Sequence, residues 1–194
     1  MTAIGVLALQ GDWAAHSTAL RELGAEVSAV RTAAELDDVR ALVIPGGESS
    51  AMLRLMEPED LSGRIVERAL TGMAVLATCA GVILLAQAVA PSQPCLGVLE
   101  IDVERNAYGR QVFSTVAEID LAPALGDPSR MEGVFIRAPR ITRREETVEV
   151  LGSWGNDAVL VRQGGILAAT FHPELTGDRR VHELFLQTAE EANG

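Results

Sequence analysis

A chain of 194 residues can bury a substantial core, and one domain spanning 1–194 is the natural expectation. With 27 acidic against 16 basic residues, a formal charge of −11 and no basic cluster, the sequence argues against a nucleic-acid or anionic-membrane surface, since both need concentrated Lys and Arg. It holds only two cysteines, Cys79 and Cys95, without partners at metal-ligand spacing, and Met1-Thr2-Ala3-Ile4-Gly5 lacks the charged region of a secretory signal, so a cytoplasmic protein with reduced thiols and no metal is expected.

Ile4 to Leu9 is almost purely apolar, as in a strand covered on both faces. Asp12 can cap the helix that follows, with Ala15, Leu20 and Leu23 apolar and Gly24 as its stop. Glu26 to Arg31 reads as a second strand, Thr32-Ala33-Ala34-Glu35 as a capping box, and Ala41 to Ile44 as a third strand running into Pro45-Gly46-Gly47-Glu48-Ser49-Ser50. Strand and helix in alternation predict a three-layer, doubly wound α/β fold with a mixed, mostly parallel sheet. In such sheets ligands bind beyond the carboxyl ends of the strands.

Ser49 or Ser50 can cap a helix through Met56, and Pro58 can open another reaching Leu70. Gly72 to Ala90 is a long uncharged run, but Thr78-Cys79-Ala80-Gly81 interrupts it and its flanks carry no strong basic bias, which argues against a membrane span. It divides instead into a buried strand, Met73 to Ala77, and the apolar start of a helix, Val82 to Ala88. Beyond Pro91 the pattern turns β-like: Val98 to Arg105, Val112 to Ile119, Val134 to Arg137, Val148 to Trp154, Ala158 to Arg162 and Ile166 to Phe171, with a turn at Asn156-Asp157 and a tight hairpin at Gly164-Gly165. Thr176 or Asp178 can cap a terminal helix carrying Val181, Leu184, Phe185 and Thr188 at helical spacing.

Cys79 falls on the strand-to-helix turn. A thiol there faces the N-terminus of the next helix, where unpaired N–H groups favour a thiolate. Taken alone, a cysteine in an apolar run is more often packing than chemistry. His172-Pro173-Glu174 supplies the second signal, because residues two apart in extended chain face one side and proline between them blocks a helix. Glu174 can then fix the tautomer of His172, leaving its other nitrogen to take a proton from Cys79. The Gly-rich loop is a third: Gly47 N–H, paired with Ala80 N–H, is a candidate oxyanion donor. Arg105 and Arg137 suit a substrate carboxylate and Glu48 an ammonium group, which together describe an α-amino acid. His16 and His182 read as partly exposed or satisfied helix histidines, and Cys95 as structural.

The segments ALQGD (Ala8 to Asp12), IPGGESS (Ile44 to Ser50), ATCAG (Ala77 to Gly81), RNAYGRQ (Arg105 to Gln111), FIRAP (Phe135 to Pro139) and FHPELTGD (Phe171 to Asp178) resemble the glutaminase subunit of pyridoxal 5′-phosphate synthase. That family lies within the class I, or triad, glutamine amidotransferases, with their flavodoxin-like fold, and the likeness spans essentially the whole chain. It implies Cys79 as nucleophile, His172 as base and Glu174 as its orienter. It also implies glutamine contacts from Gly47, Glu48 and Ser49, from Arg105, and from Ile136 with Arg137. No cofactor is implied. Ser50 departs from the family's usual threonine but keeps a hydroxyl.

The same resemblance implies that ammonia released from L-glutamine passes through a tunnel to a (β/α)8 synthase subunit in a large hetero-oligomer. There it joins a pentose phosphate and a triose phosphate to make pyridoxal 5′-phosphate. Gln10 would lie at that interface, and the Gly46-Gly47 peptide would move as the partner docks. The competing readings are an amidotransferase subunit of another pathway such as histidine biosynthesis, another cysteine hydrolase of the same fold, or a catalytically silent regulatory subunit.

Overall fold

The computed structural model describes residues 3–107, 114–127 and 129–192. Strands β1 (Ala3–Leu7), β2 (Glu26–Val30), β3 (Ala41–Ile44) and β4 (Ala74–Thr78) alternate with helices α1 (Trp13–Glu22), α2 (Ala33–Asp37), α3 (Ser49–Met56) and α4 (Leu61–Leu70). After the short helix α5 (Ala80–Leu85) come β5 (Ala86–Ala90), β6 (Leu99–Glu104), β7 (Ser114–Leu121), β8 (Arg130–Ile136), β9 (Arg140–Arg144), β10 (Glu149–Trp154), β11 (Asp157–Gln163), β12 (Ile166–Ala169) and the closing helix α6 (Arg180–Glu191).

Nine strands form one sheet in the order β2-β1-β3-β4-β12-β11-β10-β7-β8, and β5, β6 and β9 form a second. The run β2-β1-β3-β4-β12 is parallel throughout, whereas β11, β10, β7 and β8 are added antiparallel. This is the doubly wound α/β architecture with a mixed sheet. Its register aligns three strand ends. Ile44 sits opposite Ala77 and Ala169 opposite Thr78, so the loops leaving the carboxyl ends of β3, β4 and β12 emerge side by side.

The parallel strands β3 and β4 are apolar or buried at every position because both faces are covered. Ala41, Val43, Ala74 and Leu76 pack with Leu20 of α1 and with Val181 and Phe185 of α6. Leu42, Ile44, Val75 and Ala77 pack oppositely, with Leu36 of α2, Met52 of α3, Ile65 of α4 and the small sheet's Leu99, Ile101 and Val103. The alternation follows from the two-residue period of a strand. Phe171 and Phe185 are fully buried, each adding about 1.5–3 kcal/mol of apolar burial.

Several local expectations hold. Asp12 caps α1 through the N–H of Ala15 at 3.4 Å, and Thr32 with Glu35 forms a complete capping box. Others are corrected. The helix expected over Val82 to Ala88 ends at Leu85, where Ala86 turns extended (ψ 158°) and the chain enters β5, paired with β6. Pro58 opens only a 3-10 turn, Glu57–Glu59, and Asp60 in a left-handed conformation (φ 47°) separates it from α4. Neither serine caps α3: its N-cap is Glu48, whose carboxylate accepts the N–H groups of Ser50 at 3.2 Å and Ala51 at 2.7 Å. β9 is an additional strand that pairs with β6, and the turn before β11 is Gly155-Asn156, with Asp157 already in the strand. The N-cap of α6 is Arg179, although Asp178 accepts the N–H of Arg180 at 3.1 Å. Val112 and Phe113, expected to begin a strand, lie outside the described residues. Among the described residues no helix is long and apolar enough to cross a membrane.

Candidate active site

Cys79 leaves the end of β4 in a conformation few non-glycine residues adopt, φ 46° and ψ −103°, and is the N-cap of α5. Such a backbone costs about 1–3 kcal/mol and persists only when its surroundings hold it. Here its N–H donates to the Ala169 carbonyl of β12 at 2.9 Å, and its carbonyl accepts from Val82 at 3.1 Å. The thiol is thereby turned out of the strand, with Sγ 3.7 Å from the carbonyl oxygen of Ile136. Cys95 is also a free thiol; it donates to the Gln87 carbonyl at 3.3 Å, and burial pushes it above the ordinary thiol value.

His172 follows β12 and begins a 3-10 turn, Pro173–Leu175. Although β8 closes the far end of the strand order, its Val134 carbonyl accepts the N–H of His172 at 2.8 Å and pins this loop. Nδ1 of His172 is 2.7 Å from Oε1 of Glu174, and both residues are buried. Burial by itself depresses the imidazolium, but hydrogen bonds with Cys79 and Glu174, and the charges of both, outweigh it and raise His172 to about 10. The sequence-based triad of Cys79, His172 and Glu174 is thus brought together.

The glycine-rich loop after β3 closes over this pair. A Cβ on Gly46 would lie 2.5 Å from Cε1 of His172 and 3.2 Å from Cβ of Cys79, so only glycine lets the loop pass that close. The Gly46 carbonyl is aimed at Gly11, where a Cβ would fall 1.6 Å from its oxygen. Across the trans peptide the Gly47 N–H therefore points away from Gly11. Ala80 opens α5, where a helix leaves its first N–H groups without i−4 partners.

A cavity of about 350 Å³ gathers Gly47, Glu48, Ser49, Cys79, Ala80, Arg105, Ile136, Arg137 and His172. Every residue the sequence pointed to for nucleophile, base, oxyanion or substrate contact lines it, with Glu174 behind His172. Tyr108 to Gln111 lie outside the described residues. Arg137 is exposed, at φ 46°, directly after β8. Nη2 of Arg105 lies 3.3 Å from Oε1 of Glu48, so they pair with each other. Burial tends to raise Glu48, but the N–H groups of Ala51 and Ser50, together with Arg105, hold it below the usual carboxylate value.

Gln93, which the sequence did not single out, completes the site, together with Gln10, expected from the resemblance at the partner interface. Gln93 Oε1 accepts from Ser49 Oγ at 3.1 Å and from Arg105 Nη1 at 2.5 Å, joining two substrate-side elements. Gln10 Oε1 accepts the N–H of Glu48 at 3.0 Å, and Asn106 and Leu175 line the same cavity. No motif marks Gln93; only the capping geometry and pairing of its neighbours reveal it. Of the two readings for His16 and His182, partly exposed or satisfied, the second holds: both are fully buried and hydrogen-bonded to each other, and Nε2 of His16 lies 3.3 Å from Oε2 of Glu174. Among the described residues no group of three or more His, Cys, Asp or Glu could hold a metal ion.

A cysteine on a strained elbow, a histidine with an acid behind it and a glycine loop across both lie within the span this chain shares with known proteins. It is 52% identical over 188 residues to the pyridoxal 5′-phosphate synthase subunit PdxT of Thermotoga maritima, covering 95% of this chain and 97% of that one. It is 48% identical over 190 residues to the protein of that name from Solibacter usitatus, covering 96% and 98%. A crystal structure of a glutamine amidotransferase superposes with a TM-score of 0.89 at 46% identity, covering 96% of this chain and 98% of that one. The family model of the SNO glutamine amidotransferases matches residues 6–191, a span that includes every element of the site, and the chain belongs to that family.

Proposed function

We propose that the whole chain is one glutaminase unit. It hydrolyses L-glutamine to L-glutamate and ammonia through a glutamyl thioester on Cys79, and supplies the ammonia to a pyridoxal 5′-phosphate synthase subunit. The observation that carries this reading is the alignment of Cys79, His172 and Glu174 at one wall of the cavity, with the Gly46-Gly47 loop over them.

The chemistry follows from the geometry. A His172 imidazolium held by Cys79 and Glu174 supports a thiolate, which attacks the side-chain amide carbon of glutamine. The carbonyl oxygen takes the negative charge, and Ala80 N–H with Gly47 N–H are the donors assigned to it. As the C–N bond breaks, His172 gives its proton to the departing ammonia. Water then attacks the thioester, His172 takes its proton, and glutamate leaves as the thiolate is restored. Ser49, Glu48, Arg105, Ile136 and Arg137 are assigned to the amino-acid end of the substrate, with Arg137, exposed and on the cavity wall, assigned to its carboxylate.

The names of the relatives support a synthase subunit as partner. We assign that partner as a (β/α)8 protein in a large hetero-oligomer that receives ammonia by an internal path, and the pair to the cytoplasm. Gln10, on the cavity wall, supports a docking face there. Glutamate release by the wild type and by Cys79→Ala, each with the synthase subunit present, tests the proposal. Loss of turnover in the variant is the expected result, and undiminished turnover overturns it.

A further inference from the structure

His16 on α1 and His182 on α6 are 166 residues apart, yet Nδ1 of His16 lies 3.0 Å from Nε2 of His182, and both rings are fully buried. Nε2 of His16 is 3.1 Å from Thr78 Oγ1 and 3.3 Å from Oε2 of Glu174. Glu174 therefore has His172 at one oxygen and His16 at the other. Nε2 of His16 is hydrogen-bonded with the Thr78 hydroxyl, whereas Oε2 lies off that line and has no hydrogen-bond partner among the described residues.

The protons of this chain can be assigned. A carboxylate only accepts hydrogen bonds, so a bare Nε2 lone pair on His16 would repel Oε2; Nε2 must carry the hydrogen. Nδ1 of His16 is then an acceptor, and Nε2 of His182 donates to it. That leaves Nδ1 of His182 as a bare lone pair, which is the atom found buried without a partner. The reverse arrangement would bury an unsatisfied N–H there and set two lone pairs against each other.

We infer that His16, held by His182, is a positioning residue of the triad: a neutral imidazole whose Nε2–H supports ionised Glu174 and, through it, the orientation of His172. The inference rests on the glutaminase reading above. A buried carboxylate with a single partner is costly, and a neutral donor lowers that cost without adding a cation that would compete with His172 for its charge. The titratable and charged groups facing Glu174 and its neighbours are His172 on its own turn, Cys79 at the end of β4, His16 on α1, His182 on α6 and Arg179 just before α6. Burial first, then His182 and His172, depress His16 well below its ordinary value; burial and Arg179 bring His182 to about 4. Both rings are neutral at neutral pH.

The amide nitrogen of glutamine falls where Nε2 of histidine lies, and that of asparagine where Nδ1 lies. Assayed with the synthase subunit, His16→Asn is expected to lower kcat for glutamine about tenfold with KM within about twofold, as when a buried charged oxygen loses the polar N–H beside it. It should also move the acid limb of the kcat profile to higher pH. His16→Gln should stay within about threefold of wild type with that limb unmoved. Equal losses in both variants, with no movement of the limb, overturn the inference. Imidazole nitrogen NMR on the wild type decides it where a variant does not fold: His16 is expected neutral with hydrogen on Nε2 at neutral pH. A cationic or Nδ1–H ring overturns it. Absence of glutamate release by the wild type would overturn the glutaminase reading instead, while the NMR result would still decide the proton assignment.

Discussion

His172 and Glu174 meet through a 2.7 Å contact between Nδ1 and Oε1 with only Pro173 between them, inside a 3-10 turn that proline opens. Because proline fixes φ and cannot extend a helix, the turn stays tight enough for the two side chains to pair directly after β12.

Glu174→Gln keeps much of this shape but removes the charge. His172, raised to about 10 with the help of that carboxylate, should fall toward its ordinary value in an NMR titration. The kcat for glutamine should drop roughly a hundredfold or more with KM little altered, as when a base loses its orienting acid. A variant with unchanged kcat would remove Glu174 from the triad.

Stability should fall on mild acidification. His182 is lowered to about 4, so below its unfolded value of 6.5 the unfolded chain binds a proton that the folded chain refuses. Stability is therefore lost as pH drops from 6.5 toward 4, by about 2 kcal/mol at pH 5 from this residue. His16 acts in the same direction. His172 acts oppositely: its contribution is fully present below 6.5 and disappears as pH rises through about 10. Urea unfolding at pH 7 and pH 5 checks this, and the midpoint should be lower at pH 5.

Gly46→Ala should remove activity while leaving the fold. The added methyl would sit 2.5 Å from the His172 ring, and the loop or ring must move by a good fraction of an ångström. Misplacement on that scale is expected to lower kcat/KM about a hundredfold, with kcat bearing much of the loss. Circular dichroism and thermal unfolding near those of the wild type would confirm that the effect is local.

Gln93→Ala should raise KM for glutamine roughly tenfold with kcat nearly unchanged. Its Oε1 holds both Ser49 and Arg105, and losing a hydrogen bond to a charged group is worth about 1.5–3 kcal/mol, here felt in substrate binding. An unchanged KM would mean that Arg105 is positioned by Glu48 alone.

Much of the site is legible because its residues are marked by local chemistry. Glycines after β3 and a proline between His172 and Glu174 restrict the backbone whatever surrounds them. Ala41–Ile44 is bounded as expected because a fully apolar run suits a covered strand. The segment after Leu85 departs from its helical expectation because alanine-rich apolar sequence fits a helix as well as a strand. Pairing with β6, which starts nine residues after β5 ends, decides it. Glu48 rather than serine caps α3 for a similar reason: Arg105, brought in by β6, steadies its carboxylate.

The sequence by itself determined the alternation of layers, the elbow at Cys79, the pairing of His172 with Glu174 and the glycine loop, all consequences of backbone restriction and of apolar periodicity, although the extended chain expected at Pro173 is a 3-10 turn. Only the tertiary structure decided that β3, β4 and β12 end side by side, that Glu48 and Arg105 neutralise one another, and that His16 and His182 are buried behind Glu174. Those outcomes depend on strand order and register, which bring together residues from opposite ends of the chain. Hydrogen-bond partners and burial across such distances have no signature in local sequence.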